Sequence, residues 1–533
     1  MEVNNDERTN AFLKSLKLSE DINMMIKQKV LVLLAIVTYT MSVYAQVPTE
    51  DPPYGELHPM LAGVIEAGPY KPQWESLMKH PLPDWFANRK VGLSAHWGPY
   101  AVPGWTPRKD TPYGVAYAEW YWEWMKQNEA VKKYHEETYG KARYDDFIDG
   151  TKNLKTGETE GFYAENFDAD EWMKIMKKAG VRYFFITSKH HDGFCIFESK
   201  YTDRNSKQMG PKRDLYDALV NAAREHDIKI GFYYSFYEWN NPIYKEKDDL
   251  SGYKGIKTLK DEDKDGILNE YADDFMIPQI KELIDKYQPD YICFDGEWEH
   301  PYPYWRARQI AAYYYNQAAV RGQEVVINDR FGQKKDGFSD TRGVYGDFSH
   351  VEYYADIDST KAWAMWRGFG NSYGYNRNEH PDNILSPKEV VHTIVDCVSH
   401  NGNMEFNVGP KSDGTFSEID LDRLTAMGKW LTVNGEAIYE TRIMKPFREK
   451  QVYFTQKENA IYAIYLAGDE ETTPPASISV TSFQPEDATE ITMLGTYKKL
   501  KWRKEEQGFV VDIPESLQKN PPSEHAWTLK ITK

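Results

Sequence analysis

Cysteine and positive charge are both scarce in this chain. Only Cys195, Cys293 and Cys397 occur among the 533 residues. Their odd number and wide spacing argue against a disulfide framework or a zinc motif, so we predict small buried apolar residues. Lys and Arg number 65 against 82 Asp and Glu, giving a net charge of −17. A chain this acidic lacks a broad basic face, and nucleic-acid binding is not expected.

Long apolar runs are limited to one stretch, VLVLLAIVTYTMSV at residues 30–43, which follows two lysines. Small residues, Val43 and Ala45, then stand at positions −3 and −1 of a cleavage point before Gln46. This order predicts a secretory signal over residues 1–45, and the run is short for a membrane span. We expect a secreted or periplasmic protein without stable membrane insertion after cleavage. An uncleaved anchor is the alternative.

The polar residues 1–23 are unusual for a signal segment. A true start at Met24 or Met25 would place them outside the natural protein. Residues 46–75 are rich in proline and are predicted to be an extended leader.

Strands and helices alternate through residues 76–440. Predicted helices (168–180, 212–226 and 275–287) alternate with strands that are apolar on both faces (91–96, 181–187, 228–235, 291–295 and 324–329). This pattern predicts a parallel sheet covered by helices, and its repetition favours a (β/α)8-like barrel of the TIM type. No Gly-rich phosphate loop follows any strand, which argues against a doubly wound nucleotide-binding fold, and no cofactor is expected.

After residue 440 the pattern changes to short segments rich in β-forming residues, separated by turn residues. These segments lie at 451–454, 460–466, 477–481, 490–494, 509–513 and 527–531. We predict an antiparallel β-sandwich over residues 441–533.

Polar residues follow the predicted barrel strands. They are His96, Lys189 to Asp192, Tyr234 and Ser235, Asp295, and Asn328 to Arg330. The carboxyl ends of barrel strands carry the active site in enzymes of this architecture. Aromatic residues make up 14% of the chain. Their flat faces suit sugar rings, although an aromatic core explains the composition equally well.

The segment 291–298 (YICFDGEW) delivers a carboxylate to the exposed end of a strand. Retaining glycoside cleavage needs two carboxylates about 5–5.5 Å apart, one of which attacks the sugar. Asp295 is therefore a candidate nucleophile, with a helix N-cap as the alternative role. His190 and His191 are adjacent, and neighbours rarely bind one ion together. No metal is therefore predicted, and imidazoles that donate to sugar hydroxyls fit better.

These segments resemble glycoside hydrolase family 29, the retaining α-L-fucosidases. Matching segments fall in the family's order at 94–98, 118–121, 189–194, 231–235, 294–296, 328–330, 372–376, 407–410 and 434–439. The resemblance implies a TIM-type barrel followed by a β-sandwich. It also implies release of terminal α-L-fucose by double displacement, with a fucosylated oligosaccharide or glycoconjugate as the partner.

The resemblance also implies residue roles. Asp295 matches the nucleophile, and Arg330 matches a basic residue whose charge would keep that carboxylate ionised. Tyr373 and Trp298 are candidates for the apolar wall that receives the fucose methyl group. The residues expected to hold the sugar ring and hydroxyls are His96, Trp97, Glu119, Trp120, His190, His191 and Tyr234.

The acid/base assignment rests on the segment 346–353 (GDFSHVEY), which resembles the family segment that supplies this residue in many members. Glu352 is the predicted acid/base, at another strand end of the same face. Glu297 and Glu299 are alternatives, expected to be solvated or to face the leaving group. Many relatives carry a glutamate where this chain has Ala364, which cannot transfer a proton.

Two other functions stay open from the sequence. One is a glycosidase for an α-L-galactoside-like sugar, which would need space for a bulkier C6 group. The other is a catalytically inactive fucose-binding protein, an alternative that stays open because Ala364 cannot transfer a proton. Separately, Asp261, Asp263 and Asp265 resemble the first half of a calcium loop, but Ala272 stands where a bidentate glutamate belongs. An ordinary acidic surface turn is the alternative.

Overall fold

The computed structural model describes residues 55–111, 114–239, 241–244, 271–334, 339–353, 359–496 and 498–532. Two predictions lie outside these residues. They are the signal segment over 1–45 and the calcium-like loop with Asp261, Asp263 and Asp265.

Eight parallel strands form one sheet, and neighbouring strands follow the chain order. They are β1 (Val91–Ala95), β2 (Tyr183–Lys189), β3 (Lys229–Ser235), β4 (Tyr291–Asp295), β5 (Val326–Ile327), β6 (Ser349–Glu352), β7 (Trp363–Gly368) and β8 (Gly402–Val408). The first strand, β1, pairs with β2 and also with the last strand, β8, which is the neighbour order of a barrel, and the predicted TIM-type architecture is confirmed. Among the described residues, β5 and β6 share no strand ladder.

Helices alternate with the strands, and several of them begin at a capping side chain. Asp168 and Asp214 each accept a backbone N–H three residues on, and Ser386 forms a capping box with Glu389. The main helices are Ala169–Lys178, Leu215–Glu225, Ile277–Tyr287, Ala307–Arg321, Pro387–Ser399 and Glu418–Asn434. Shorter ones, Tyr121–Gln127, Glu129–Tyr139 and Asp146–Asp149, lie between β1 and β2.

Part of the predicted extended leader is helical. Residues Pro59–Ala67 form a helix that begins with proline and is capped by the side chain of His58. Its buried Leu61 and Ile65 belong to the barrel's main apolar cluster, and the helix packs on Ala307–Arg321. The expectation of extended chain was wrong for these residues, because packing on Ala307–Arg321 stabilises the helix.

The C-terminal region consists of two antiparallel sheets. A five-stranded sheet contains β9 (Arg442–Glu449), β10 (Val452–Lys457), β11 (Ala460–Leu466), β13 (Ile491–Met493) and β16 (Ala526–Thr532), in the order β9-β10-β11-β16-β13. A three-stranded sheet contains β12 (Ser477–Val480), β14 (Lys501–Lys504) and β15 (Phe509–Asp512). Phe454, Phe509 and Trp527 are buried in a shared core, so the two sheets pack as a sandwich.

The three cysteines are buried and free, which confirms their predicted role as small apolar residues. Within the described part of the chain, no helix has the length and apolarity that crossing a membrane requires. The same residues contain no cluster of three His, Cys, Asp or Glu side chains suited to a metal ion.

Candidate active site

Asp295 ends β4 at the carboxyl edge of the barrel, and three side chains surround its carboxylate. Arg330 Nη1 donates to Oδ1 at 2.7 Å, and the Tyr233 hydroxyl donates to Oδ2 at 2.8 Å. His191 Nε2 lies 3.7 Å from Oδ2. The aspartate is only 7% exposed. Burial alone would raise its pKa, but Arg330, His191 and the Tyr233 hydrogen bond together hold the pKa below its ordinary value.

Glu352, at the end of β6, is joined to Asp295 through the same arginine. Arg330 Nη2 donates to Glu352 Oε1 at 2.7 Å, and the Tyr373 hydroxyl lies 3.3 Å from Oε2. The Arg330 side chain is buried and lies over the Trp366 ring. The Glu352 side chain is 34% exposed. One guanidinium therefore fixes two carboxylates at the mouth of the barrel, one enclosed and one reached by solvent.

Ala364 lies deeper in the barrel than Glu352. In the β6–β7 ladder Ala364 pairs with His350, whereas Glu352 pairs with Trp366. Ala364 is completely buried in the interior cluster. A carboxylate at that position would start about 6.6 Å below the level of Glu352, since strands rise about 3.3 Å per residue. The alanine is therefore not a missing acid at the mouth, and it gives no support to an inactive binding protein.

The predicted histidines line one wall. The ring of His96 lies 5.5 Å from that of His190 and 5.0 Å from that of Tyr373. His96 Nδ1 donates to Asn407 Oδ1 at 2.8 Å, which leaves Nε2 as an acceptor. Burial lowers the pKa of His96 to about 4 and that of His190 well below its ordinary value, so both are neutral near pH 7.

His190 and His191 offer different atoms. Nδ1 of His190 is buried and has no hydrogen-bond partner among the described residues. A buried polar atom of this kind is costly unless a ligand or water satisfies it. His191 Nδ1 donates to Ser235 Oγ at 2.6 Å, because that hydroxyl itself donates to the Tyr237 carbonyl. His191 Nε2 therefore faces Asp295 and the space above it.

Glu119 is a buried carboxyl in the same wall. Its Oε2 accepts the backbone N–H of Gly374 at 2.7 Å. Burial raises the pKa of Glu119 to about 8, so the group is protonated at neutral pH and has a proton to donate. Gly374 also forms a bridge with His96, which brings Glu119 and His96 to one side of the site.

Trp120 and Trp298 both contact His191. Their rings lie 5.5 and 5.3 Å from its imidazole, and Trp239 completes this aromatic side at 5.4 Å. The ring of Tyr373 lies 6.0 Å from that of Tyr117 and 6.2 Å from that of Tyr353. The predicted site residues Asp295, Glu352, His96, Glu119, Trp120, His190, His191, Trp298, Arg330 and Tyr373 are thus brought together.

Tyr234 and Trp97 are not part of this group. The Tyr234 hydroxyl donates to Gln279 Oε1 at 2.7 Å, and its ring lies under Lys189. Trp97 packs among Phe162, Phe167 and Trp172. The structure contradicts both expectations. Tyr234 alternates with Tyr233 along β3 and so faces the helix layer, whereas Trp97 follows β1, and its indole N–H donates to the Lys411 carbonyl at 2.8 Å.

The two alternative glutamates, Glu297 and Glu299, differ in their exposure. Glu297 is completely buried and accepts a 2.7 Å hydrogen bond from Arg342 Nε. Burial raises its pKa to about 7. Glu299 accepts from the Tyr244 hydroxyl at 2.6 Å. Glu297 is therefore not the solvated carboxylate that we predicted, whereas Glu299 is partly exposed.

Tyr233, which contacts the Asp295 carboxylate directly, is a site residue that sequence reasoning missed. It is in register with Cys293, and Ser235 is in register with Asp295, so Tyr233 and Ser235 share the inward face of β3. Counting back two residues from Ser235 would have identified it.

Comparisons with known proteins match one family, the alpha-L-fucosidases, over most of the chain. The family model described as Alpha-L-fucosidase matches residues 60–436, and that described as Alpha-L-fucosidase C-terminal domain matches residues 445–532. Tissue alpha-L-fucosidase of Rattus norvegicus is 33% identical over 484 residues, covering 89% of this chain and 94% of the rat protein. The Homo sapiens tissue alpha-L-fucosidase is 33% identical over 476 residues, covering 87% and 92% respectively.

A solved structure is similar throughout. The crystal structure of Thermotoga maritima alpha-fucosidase, in complex with a mechanism-based inhibitor, superposes with a TM-score of 0.69 at 33% identity. The match covers 86% of this chain and 99% of that one.

Proposed function

The chain belongs to the α-L-fucosidase family, glycoside hydrolase family 29, and we propose that Asp295 is its nucleophile and Glu352 its acid/base. The enzyme is an α-L-fucosidase that hydrolyses terminal α-L-fucose from fucosylated glycans. The observation that carries the assignment is the bridge made by Arg330, which holds Asp295 Oδ1 and Glu352 Oε1 each at 2.7 Å.

The first step uses the difference between the two carboxyls. Asp295 is enclosed and kept ionised by Arg330 and Tyr233, so it can attack the anomeric carbon. Glu352 is open to solvent and protonates the oxygen that leaves with the rest of the glycan. The product of this step is a fucosyl ester on Asp295 and a free aglycone.

The second step reverses the role of Glu352. As a carboxylate it takes a proton from water, and the water attacks the anomeric carbon of the ester. Two inversions in succession give retention of configuration. The neutral imidazoles of His96 and His190, the imidazole of His191 beside Asp295 and the protonated Glu119 bind the fucose hydroxyls.

Kinetics of a Glu352→Ala variant test the acid/base. A 4-nitrophenolate leaves without much protonation, so the variant should keep most of its kcat/KM for 4-nitrophenyl α-L-fucoside. It should lose about 10²–10⁴-fold on an alkyl fucoside, which is the range that general acid catalysis supplies. Azide should accelerate the variant and give α-L-fucosyl azide. Asp295→Gly is the matched control, from which azide should yield β-L-fucosyl azide.

Equal loss on both substrates, with no azide product from Glu352→Ala, would show that another residue is the acid/base. The assignment of Asp295 would then stand or fall separately on the configuration of its own azide product.

The chain's export is also part of the proposal. The apolar run at 30–43 and the small residues before Gln46 support a signal that is removed before the enzyme reaches the periplasm or medium. The intact mass of the enzyme purified from its host should correspond to a chain beginning at Gln46. A mass that includes the apolar run would contradict export by cleavage.

A further inference from the structure

Among the residues that the structure describes, the two strands that flank Arg330 share no ladder, and a backbone bond from the Asp347 N–H to the Ile327 carbonyl at 3.1 Å joins only the deeper end of this gap. β5 has only two residues, and within the described ranges it shares no ladder with β6. Three consecutive residues, Asn328, Asp329 and Arg330, follow β5 and are almost completely buried. Their side chains supply polar contacts to both neighbouring strands.

Asn328 extends the pairing toward β4. Its Oδ1 accepts the Phe294 N–H at 2.9 Å, and its Nδ2 donates to the Phe294 carbonyl at 2.8 Å. This side-chain amide makes the two bonds that a backbone partner would make in a ladder. Phe294 immediately precedes Asp295, so Asn328 fixes the backbone that carries the nucleophile.

Asp329 bonds in the other direction, toward β6. Its Oδ1 accepts the His350 N–H at 3.1 Å, and its Oδ2 accepts the Gly343 N–H at 2.6 Å. His350 is two residues before Glu352 on the same strand. The carboxylate thus replaces the missing ladder and holds the strand that carries the acid/base.

We propose that Asn328, Asp329 and Arg330 form a clamp that sets the spacing of Asp295 and Glu352, with Asn328 and Asp329 as positioning residues. Arg330 bonds the two carboxylates themselves, while its two neighbours hold the strands on which those carboxylates sit. This inference rests on the proposed roles of Asp295 and Glu352. Retaining cleavage depends on that spacing, and a shift of about 1 Å at a reacting group costs about 10²-fold in rate.

Asp329→Asn tests the clamp with little change in shape. An amide has one acceptor oxygen, so either the His350 N–H or the Gly343 N–H loses its partner. We expect kcat/KM for an alkyl α-L-fucoside to fall about 10–100-fold, because proton transfer from Glu352 is misaligned. For 4-nitrophenyl α-L-fucoside, which needs little protonation, the fall should be less than about threefold.

The control variant is Asp347→Asn, at the deeper end of the same gap. Asp347 Oδ2 accepts the Ile327 N–H at 2.8 Å, and Oδ1 bonds His80. Asp347→Asn changes a buried carboxylate that also bonds β5, but Asp347 lies away from Glu352. Its Tm should fall while the ratio of the two kcat/KM values stays that of the wild type. Should Asp329→Asn not fold, Asp329→Glu displaces the same oxygens by one methylene and is expected to change the ratio in the same direction.

The double variant Asp329→Asn, Glu352→Gln separates positioning from general damage. If Asp329 acts through Glu352, adding Asp329→Asn to Glu352→Gln should change the leaving-group dependence by less than about twofold. The clamp alone would be overturned if Asp329→Asn lost kcat/KM equally on both substrates while Glu352→Gln still lost more on the alkyl fucoside than on the 4-nitrophenyl fucoside. If Glu352→Gln shows no such dependence, the proposed acid/base is wrong and the clamp fails with it.

Discussion

At the scale of single residues, the site contains two buried carboxyls whose pKa values are displaced in opposite directions. Burial raises both, but Asp295 has a guanidinium 2.7 Å away, and its pKa ends below the ordinary value. Glu119 accepts backbone N–H groups instead, and its pKa rises to about 8. A nearby cation thus decides which carboxyl is the ionised nucleophile and which is a protonated hydrogen-bond donor.

The pH dependence of kcat/KM should show the titration of Glu119. Its proton is present below pH 8 and is lost as the pH rises through that value, so kcat/KM for 4-nitrophenyl α-L-fucoside should fall above about pH 8. In Glu119→Gln the carboxamide keeps a donor and does not titrate, and this alkaline limb should be absent. Identical alkaline limbs in the wild type and Glu119→Gln would show that another group is responsible.

At the scale of elements, strand alternation decides which side chains reach the site. Phe232 and Tyr234 face the helix layer, whereas Tyr233 faces the interior with Cys293. The family motif identifies the segment 231–235 but does not show which of its two tyrosines faces the interior. The predicted member, Tyr234, faces the helix layer.

The two tyrosines should respond differently to loss of the hydroxyl. Tyr233→Phe removes a hydrogen bond to the ionised nucleophile, worth about 1.5–3 kcal/mol, so kcat/KM should fall roughly 10–100-fold with little change in Tm. Tyr234→Phe leaves buried Gln279 Oε1 without this donor and should cost about 1–3 kcal/mol of stability at nearly wild-type kcat/KM. Steady-state kinetics and urea unfolding of both variants measure this. The reverse assignment of effects would contradict the alternation.

Sequence periodicity predicted the elements whose signal is local. β4 and the helix Ala169–Lys178 follow from apolar spacing and an N-cap, and the structure agrees within two residues at each end. It did not predict that β5 is only two residues long, or that Asn328 and Asp329 replace its ladder. Those bonds join residues far apart in sequence. The helix Pro59–Ala67 was missed because its stability comes from packing on Ala307–Arg321.

At the scale of the whole molecule, the barrel and the sandwich share an apolar interface. Along β11, Tyr462 and Ile464 belong to the barrel's apolar cluster, whereas Ala463 belongs to the sandwich core. Trp430 of the last barrel helix donates to the Ala526 carbonyl at 3.0 Å. The three side chains described around the Asp295 carboxylate, Arg330, Tyr233 and His191, all belong to the barrel. The sandwich therefore packs on the barrel, and the residues proposed for catalysis lie at the carboxyl ends of barrel strands.

The identity of the nucleophile is tested most directly by trapping the covalent intermediate. A 2-deoxy-2-fluoro-α-L-fucosyl fluoride has a good leaving group, and the fluorine slows hydrolysis of the ester that forms. We expect one fluorofucosyl group per chain, located by peptide mass spectrometry on Asp295. A label on Glu297 or Glu352, or steady turnover without any label, would contradict Asp295 as the nucleophile.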